Sequence, residues 1–207
     1  DVTGVRCRMG DDWPGHRPGQ FAFVTFDARE GGHPFTIASA DQGDGTIAFQ
    51  IKALGDYTGT LAGRLAVGRP VSIEGPYGCF DLDRCDARAR QIWIAGGIGV
   101  TPFLAWLEAL SREPATAPTA DLHYCTRDSA ADPFVGRLQA LCAHLPSVRL
   151  TVHDASAGDR LQAAALRDAA SAEVWFCGPR GLADTLRAEL ARLGRRPRFH
   201  QEAFAMR

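Results

Sequence analysis

Ile92-Trp93-Ile94-Ala95-Gly96-Gly97-Ile98-Gly99-Val100-Thr101-Pro102-Phe103-Leu104-Ala105-Trp106-Leu107 is the stretch whose reading decides the fold. A short apolar run enters a turn at Gly96, Gly97 and Gly99, and a helical pattern resumes after Pro102. Strand, glycine turn and helix start, in that order, present backbone N–H groups to a phosphate. Proline at a first helical position forgoes no hydrogen bond, because that N–H has no partner inside the helix. Glycine-rich strand-to-helix turns also arise for packing reasons alone, so the flanking sequence has to decide.

Downstream, strands and helices alternate. The pattern predicts a strand at Ile92–Ala95, a helix at Pro102–Ser111 and a Pro/Ala/Thr loop at Arg112–Thr119. Strands follow at Leu122–Cys125, Ser147–His153, Glu173–Cys177 and Arg198–Phe204. Helices are expected at Pro133–Ala143, Arg160–Ala169 (with Asp159 as N-cap) and Arg180–Leu193. Such alternation implies βαβ units and a parallel sheet.

Upstream, the chain reads as all-β. Candidate strands are Val2–Met9, Phe21–Asp27, Phe35–Ser39, Thr46–Ala53 and Pro70–Glu74, with one helix near Gly59–Ala66. Short strands between Pro-Gly and Gly-Gly turns suggest a sandwich or small barrel. After Glu74-Gly75-Pro76-Tyr77-Gly78, the segment Asp81–Arg90 is charged and lacks apolar periodicity. The boundary is placed there, giving domains at residues 1–86 and 87–207.

With 207 residues, 45% hydrophobic and a net charge of −1, the chain has no basic block, so nothing points to nucleic acid. Arg outnumbers Lys 22 to one, and Lys52 is that one. None of the six cysteines forms a C-x-x-C pair and no His cluster accompanies them, so no metal or iron–sulfur site is expected. They read as reduced thiols. The longest uncharged stretch is about 16 residues, short of the ~20 that span a bilayer, so the chain itself should be soluble. It opens directly on strand-like residues, as a fragment of something longer would.

Several other positions could carry chemistry. Thr126-Arg127-Asp128 ends the second strand of the α/β half, where such folds meet the adenosine ribose. Asp there favours a free 2′-hydroxyl and Arg pairs with a 2′-phosphate; Arg127 follows Thr126 directly, which leans toward NADPH. Cys177-Gly178-Pro179 ends another parallel strand, placing a thiol at the ligand crevice. His33-Pro34-Phe35-Thr36 lies in the β half. Lys52 ends a strand just before Gly55-Asp56-Tyr57-Thr58 enters a helix, a cation beside a helix N-terminus. Taken singly, Lys52 reads better as a solvated strand residue and Cys177 as a core thiol before a turn.

In order, these motifs resemble the dehydrogenase module of the NADPH oxidase and ferric reductase family, a branch of the ferredoxin–NADP reductase fold. The segments carrying the resemblance are Gly19-Gln20-Phe21, His33 to Thr36, Ile51 to Thr58, Gly75 to Gly78, Gly97 to Pro102, Cys125 to Asp128, Cys177 to Pro179 and Phe199 to Phe204. The His-Pro-Phe-Thr form separates this branch from relatives with Arg-x-Tyr-Ser/Thr.

The resemblance implies an antiparallel Greek-key-type β-barrel for FAD followed by a doubly wound parallel α/β domain for NADPH, with NADH also possible. His33 would reach the FAD phosphate or ribityl side, beside Pro34. Phe35 would pack at the isoalloxazine, and Thr36 would offer its hydroxyl to flavin N5. Lys52 would meet the pyrophosphate, with Thr58 beside it. Gly97, Gly99, Thr101 and Pro102 would hold NADPH, with Thr126 and Arg127 at its adenosine phosphate. Cys177, followed by Gly178 and Pro179, would sit near the nicotinamide. Glu202 and Phe204 match the family's C-terminal pair, in which the ring covers the flavin; Met206 is a competitor for that place. Thr36, Cys177, Glu202 and Phe204 would be the catalytic set.

The implied activity is transfer from NADPH to FAD and then singly to haem, ferric iron or oxygen. The implied partner is a haem-containing transmembrane domain absent from this chain, and the implied location is the cytoplasmic face of a membrane within a longer protein. The alternative is a soluble reductase component feeding an oxygenase or another redox partner. A non-catalytic nucleotide sensor would not need Thr36, Cys177 and Phe204 together.

Overall fold

The computed structural model describes residues 2–86, 88–166 and 171–202. The first half contains β1 (Val2–Arg8), β2 (Phe21–Thr25), β3 (His33–Thr36), β4 (Thr46–Lys52), α1 (Asp56–Arg64) and β5 (Ser72–Tyr77). β1 pairs with β4, and β3, β2 and β5 form a second antiparallel sheet. Among the described residues, an isolated bridge between Ile37 and Phe49 joins the two sheets. Both sheets close over one core of Ala22, Val24, Ile37, Ile47, Phe49 and Ile51. Strand alternation makes this core: along β4, Ile47, Phe49 and Ile51 point inward while their neighbours stay partly exposed. Each such burial is worth about 1.5–3 kcal/mol. A one-residue slip against β1 would expose all three, so the register is strongly specified.

Helix α1 begins earlier than its apolar pattern suggests. The Thr58 hydroxyl accepts hydrogen bonds from the N–H groups of Leu54 (2.9 Å) and Gly55 (3.2 Å), which fixes the start.

The second half contains β6 (Gln91–Gly96), α2 (Thr101–Leu110), β7 (Ala120–Thr126), α3 (Val135–Ala143), β8 (Val148–Asp154), β9 (Glu173–Cys177), α4 (Arg180–Arg192) and β10 (Arg198–Glu202). The five strands are parallel, in the order β10-β9-β6-β7-β8. All six residues of β6 are buried, as both covered faces of a central parallel strand require. Residues of α2 and α3 pack on one face of the sheet, and α4 with Leu161, Ala163 and Leu166 covers the other. This is the doubly wound arrangement expected.

The helix expected over Arg160–Ala169 is not formed in its described part. Residues 160–166 are irregular apart from one 3-10 turn at Ala163–Ala165, which the extended Gln162 precedes. The backbone bonds that a helix would use are taken by tertiary partners. Ala163 N–H donates to Glu189 at 3.0 Å, and Arg195 donates to the carbonyls of Ala163 (3.3 Å) and Leu166 (2.9 Å). The rest of that segment, Phe204 at the end of the last expected strand, and Met206 beyond it lie outside the described residues.

The halves are joined by packing as well as by chain. Helix α2 is buried over most of its circumference because it lies between the parallel sheet and the barrel loops. Its Trp106 Nε1 donates to the carbonyl of Pro18, and its Glu108 accepts from Ala40 N–H at 3.1 Å while pairing with Arg137. Packing crosses the boundary expected at residue 86. Phe80 is buried among Phe103, Trp106 and Trp175, with ring centroids 5.1–5.4 Å apart.

Candidate functional site

The strand order reverses between β6 and β9, and ligands of open α/β sheets sit outside the carboxyl ends of strands at such a switch point. The glycines there divide into two kinds. A Cβ on Gly96 would stand 2.6 Å from Pro179, one on Gly99 2.3 Å from the Cys177 carbonyl oxygen, and one on Gly178 2.9 Å from Gly96 N. These three are required for the backbones of β6 and β9 to cross closely. Gly97 differs: its φ is +54°, and a Cβ there would look toward Lys52 Nζ at 3.9 Å. Of the G-x-G pair, Gly97 therefore faces the crevice and Gly99 packs beneath it. Thr101 and Pro102 are buried in the first turn of α2, the Thr101 hydroxyl donating to the Ile98 carbonyl at 3.1 Å.

A cleft of about 1100 Å³ opens at these strand ends. Lys52, Gly97, Thr126, Arg127 and Pro179 are on its walls, so five sequence-predicted residues meet in one space. Lys52 was expected at the FAD pyrophosphate; the structure puts it across from Gly97, at the α/β cleft. Among the described residues, the cleft carries three cations (Lys52, Arg127, Arg160) and four carboxylates (Asp128, Asp132, Asp159, Glu189). Thr58 is not on its walls, because its hydroxyl is committed to the α1 cap.

Two polar groupings in the cleft escaped sequence reasoning. Asp132 Oδ2 accepts from the Tyr124 hydroxyl at 2.7 Å and from the Thr126 hydroxyl at 2.5 Å, and its Oδ1 accepts from Phe134 N–H at 2.9 Å. The Asp132-Pro133 pair before a helix was the available signal. The second is a row: His123 Nδ1 lies 3.1 Å from His153 Nε2, and His153 Nδ1 lies 3.2 Å from Asp159. Burial, and then the neighbouring His153, lower His123 to about 4.

On the barrel side, His33 to Thr36 form β3. Alternation turns His33 and Phe35 to one face and Pro34 and Thr36 to the other. The His33 ring stacks on Tyr57 of α1 at 4.3 Å, and Phe35 packs against Phe26 and Phe49. Thr36 lies opposite Phe21 in the β2–β3 register. A Cβ on Gly78 would stand 3.0 Å from both the Phe21 ring and Glu202 Oε1, and Glu202 is opposite Cys177 in the β9–β10 register. Thr36 and Glu202 are thus drawn toward Phe21, and Cys177 lies beside Glu202 on the neighbouring strand. Burial raises Glu202 to about 8. Burial, and secondarily Glu202, pushes the Cys177 thiol up, so it stays protonated.

The residues fit a flavin nucleotide on one criterion that the structure supplies. Among the described residues, His33 Nε2 and Glu202 Oε2 are buried without a hydrogen-bond partner. Buried polar atoms ordinarily have one, so His33 on the barrel and Glu202 on β10 of the parallel sheet both hold capacity for a polar ligand.

An antiparallel barrel beside a parallel sheet with a glycine turn at its switch point defines the fold class: a β-barrel half followed by a doubly wound α/β half. The comparisons agree. Residues 4–80 match the FAD-binding domain family. The chain is 32% identical over 146 residues to the carnitine monooxygenase reductase subunit of Escherichia coli, covering 69% of this chain and 43% of that protein. It is 27% identical to the flavohemoprotein of Bordetella pertussis, covering 94% of this chain and 54% of that protein. It superposes on the FAD/NAD-binding domain of nitric oxide dioxygenase from Vibrio cholerae with a TM-score of 0.81 at 22% identity, covering 98% of this chain and 92% of that one. The chain has the ferredoxin–NADP reductase-like fold, and the family match falls in its first half, over residues 4–80. It spans about half the length of the curated relatives it matches, 43% and 54% of these two.

Proposed function

We propose that this chain is an NAD(P)H-dependent FAD oxidoreductase module that supplies electrons to an oxygenase or other redox partner. The observation that carries the reading is the adjacency of two sites. The cleft of Lys52, Gly97, Thr126 and Arg127 opens at the strand ends beside Cys177 and Glu202, the last residues of β9 and β10, at the corner where Glu202 meets the barrel at Gly78 and Phe21. When bound, FAD would supply the conversion between the two-electron chemistry of a nicotinamide and one-electron delivery to an acceptor.

The protein's part is binding and orientation. Lys52 and the Gly97 turn would hold a pyrophosphate. Glu202, raised to about 8, is mostly a neutral acid at pH 7 and can donate a hydrogen bond at the corner. Cys177 remains a thiol, which adds no charge against an incoming nicotinamide.

The acceptor is argued from the relatives. The carnitine monooxygenase reductase subunit is by name a reductase component, and the flavohemoproteins pair a like segment with further chain. Neither resemblance supports a membrane ferric reductase, and no helix among the described residues is long and apolar enough to cross a membrane. The test is to load the chain with FAD and add NADH or NADPH without oxygen. The visible flavin absorption should bleach; bound FAD that bleaches with neither nucleotide overturns the reading. Reoxidation by an iron–sulfur or haem protein should outpace reoxidation by a ferric chelate, and the reverse order would restore the ferric reductase alternative.

A further inference from the structure

We infer that Asp132 sets the choice of nicotinamide nucleotide, holding the Thr126 hydroxyl as an acceptor for the free ribose 2′-hydroxyl of NADH and against the 2′-phosphate of NADPH. The inference rests on the reading of the cleft as a nicotinamide nucleotide site.

A threonine hydroxyl has one proton and two lone pairs. The Thr126 proton is directed at Asp132 Oδ2, 2.5 Å away. What Thr126 can then offer to the cleft is lone pairs. A ribose 2′-hydroxyl brings a donor to meet them. A 2′-phosphate brings only acceptor oxygens, so the pairing fails on hydrogen-bond type before charge is counted.

The arrangement around Asp132 keeps it so. Tyr124 donates to the same oxygen at 2.7 Å, and Tyr124 is fully buried on β7, so it cannot turn to another acceptor. Burial, followed by the hydrogen bond to Asp132, pushes the Tyr124 phenol up, which keeps its proton in place. Phe134 N–H holds the other oxygen at the start of α3. The carboxylate is thus clamped from three directions at the end of β7, where a doubly wound fold meets the adenosine ribose.

The charge of the cleft acts in the same direction. Its four carboxylates outnumber its three cations among the described residues. Arg127, which suggested NADPH in the sequence, is one cation beside the Asp128 and Asp132 acids. An added phosphate dianion would meet a surface already negative on balance.

The test measures binding, with ADP-ribose and 2′-phospho-ADP-ribose titrated calorimetrically into the FAD-loaded chain. ADP-ribose should bind more tightly, by about tenfold or more, as expected when a site built for a hydroxyl meets a ligand lacking that donor. Equal or tighter binding of the phosphorylated ligand overturns the inference and leaves the nucleotide site standing. Binding of neither overturns both. Asp132→Ala removes the acceptor of the Thr126 proton and should bring the two affinities together; an unchanged ratio is a second refutation. Thr126→Val, which keeps shape and strand preference, should weaken ADP-ribose several-fold and leave 2′-phospho-ADP-ribose unchanged. A parallel loss for both ligands would mean that Thr126 only shapes the strand end.

Discussion

Trp106 Nε1 donates to the carbonyl oxygen of Pro18 at 3.0 Å, and this bond fastens helix α2 of the parallel sheet to a loop of the barrel. The next residue, Gly19, has φ of +96°, and a Cβ on it would stand 2.0 Å from the Phe80 carbonyl and 2.5 Å from that same indole nitrogen. Three segments distant in sequence converge here with no room for a methyl group. Gly19→Ala should therefore cost about 3 kcal/mol or more, through strain and overpacking together. Trp106→Phe should cost about 2 kcal/mol, from the lost bond and the lost volume. Urea unfolding of both variants checks the ranking; an Ala variant as stable as wild type would mean that the loop is free to move away.

A second fastening is ionic. Arg17 Nε lies 2.9 Å from Asp81 Oδ2; Asp81 is fully buried while Arg17 is half-exposed. Asp81 also accepts from Asp83 N–H at 3.0 Å, which holds the linker turn between the halves. Removing the cation leaves a buried carboxylate without its counter-charge, which costs far more than the pair contributes. Arg17→Ala should lose about 3 kcal/mol, and Asp81→Asn should lose less because it removes the charge with the need for it. Equal losses in the two variants would show that packing, not charge, holds this turn.

How much of this was legible depends on the distance over which each feature is decided. The β6 strand, the glycine turn and the start of α2 were readable because their causes lie within the same sixteen-residue stretch quoted first. The division of labour between Gly97 and Gly99 was not, since Gly99 is fixed by the Cys177 carbonyl from another strand. The segment after Asp159 carries alanines and leucines that suit a helix. Yet Glu189 of α4 and Arg195 just beyond that helix take its backbone groups, and no local pattern reports that. Thr126 lies on the cleft wall at the end of β7, but which way its proton points depends on Asp132, across the turn that starts α3. The expectation for Phe204 falls outside the described residues.

His123 gives the protein an acid-sensitive element. It is buried against His153, with Asp121 and Arg149 as the other charges acting on it, and is lowered to about 4. In the unfolded chain it titrates near 6.5. Between those values the unfolded state binds the proton and the folded state does not, so stability is full above about 6.5 and is lost as pH falls toward 4. The size is on the order of 3 kcal/mol. His123→Phe should remove this acid slope while keeping the ring packing. Chemical denaturation at pH 7 and pH 4.5 reads the difference, and an unchanged slope would assign the acid loss to other groups.

Glu202 acts in the opposite direction. Burial raises its carboxyl to about 8, against an unfolded value near 4.5. From about 4.5 to 8 the unfolded chain is ionised at this position and the folded chain is not. Stability contributed here is therefore present at low pH, declines as pH rises through that window and levels off above it. Glu202→Gln keeps the shape and the hydrogen-bonding capacity but cannot ionise, so its stability curve should lose this decline. The same carboxyl faces Gly78 and Phe21 and lies opposite Cys177, at the corner where the proposed flavin reduction takes place. Flavin reduction by the nicotinamide nucleotide should accordingly change with an apparent value near 8 in the wild type and run flat across that pH in Glu202→Gln. A stability slope that disappears in the variant while the kinetic one persists would separate the two roles, leaving Glu202 as a buried acid of the fold with no part in positioning the reacting groups.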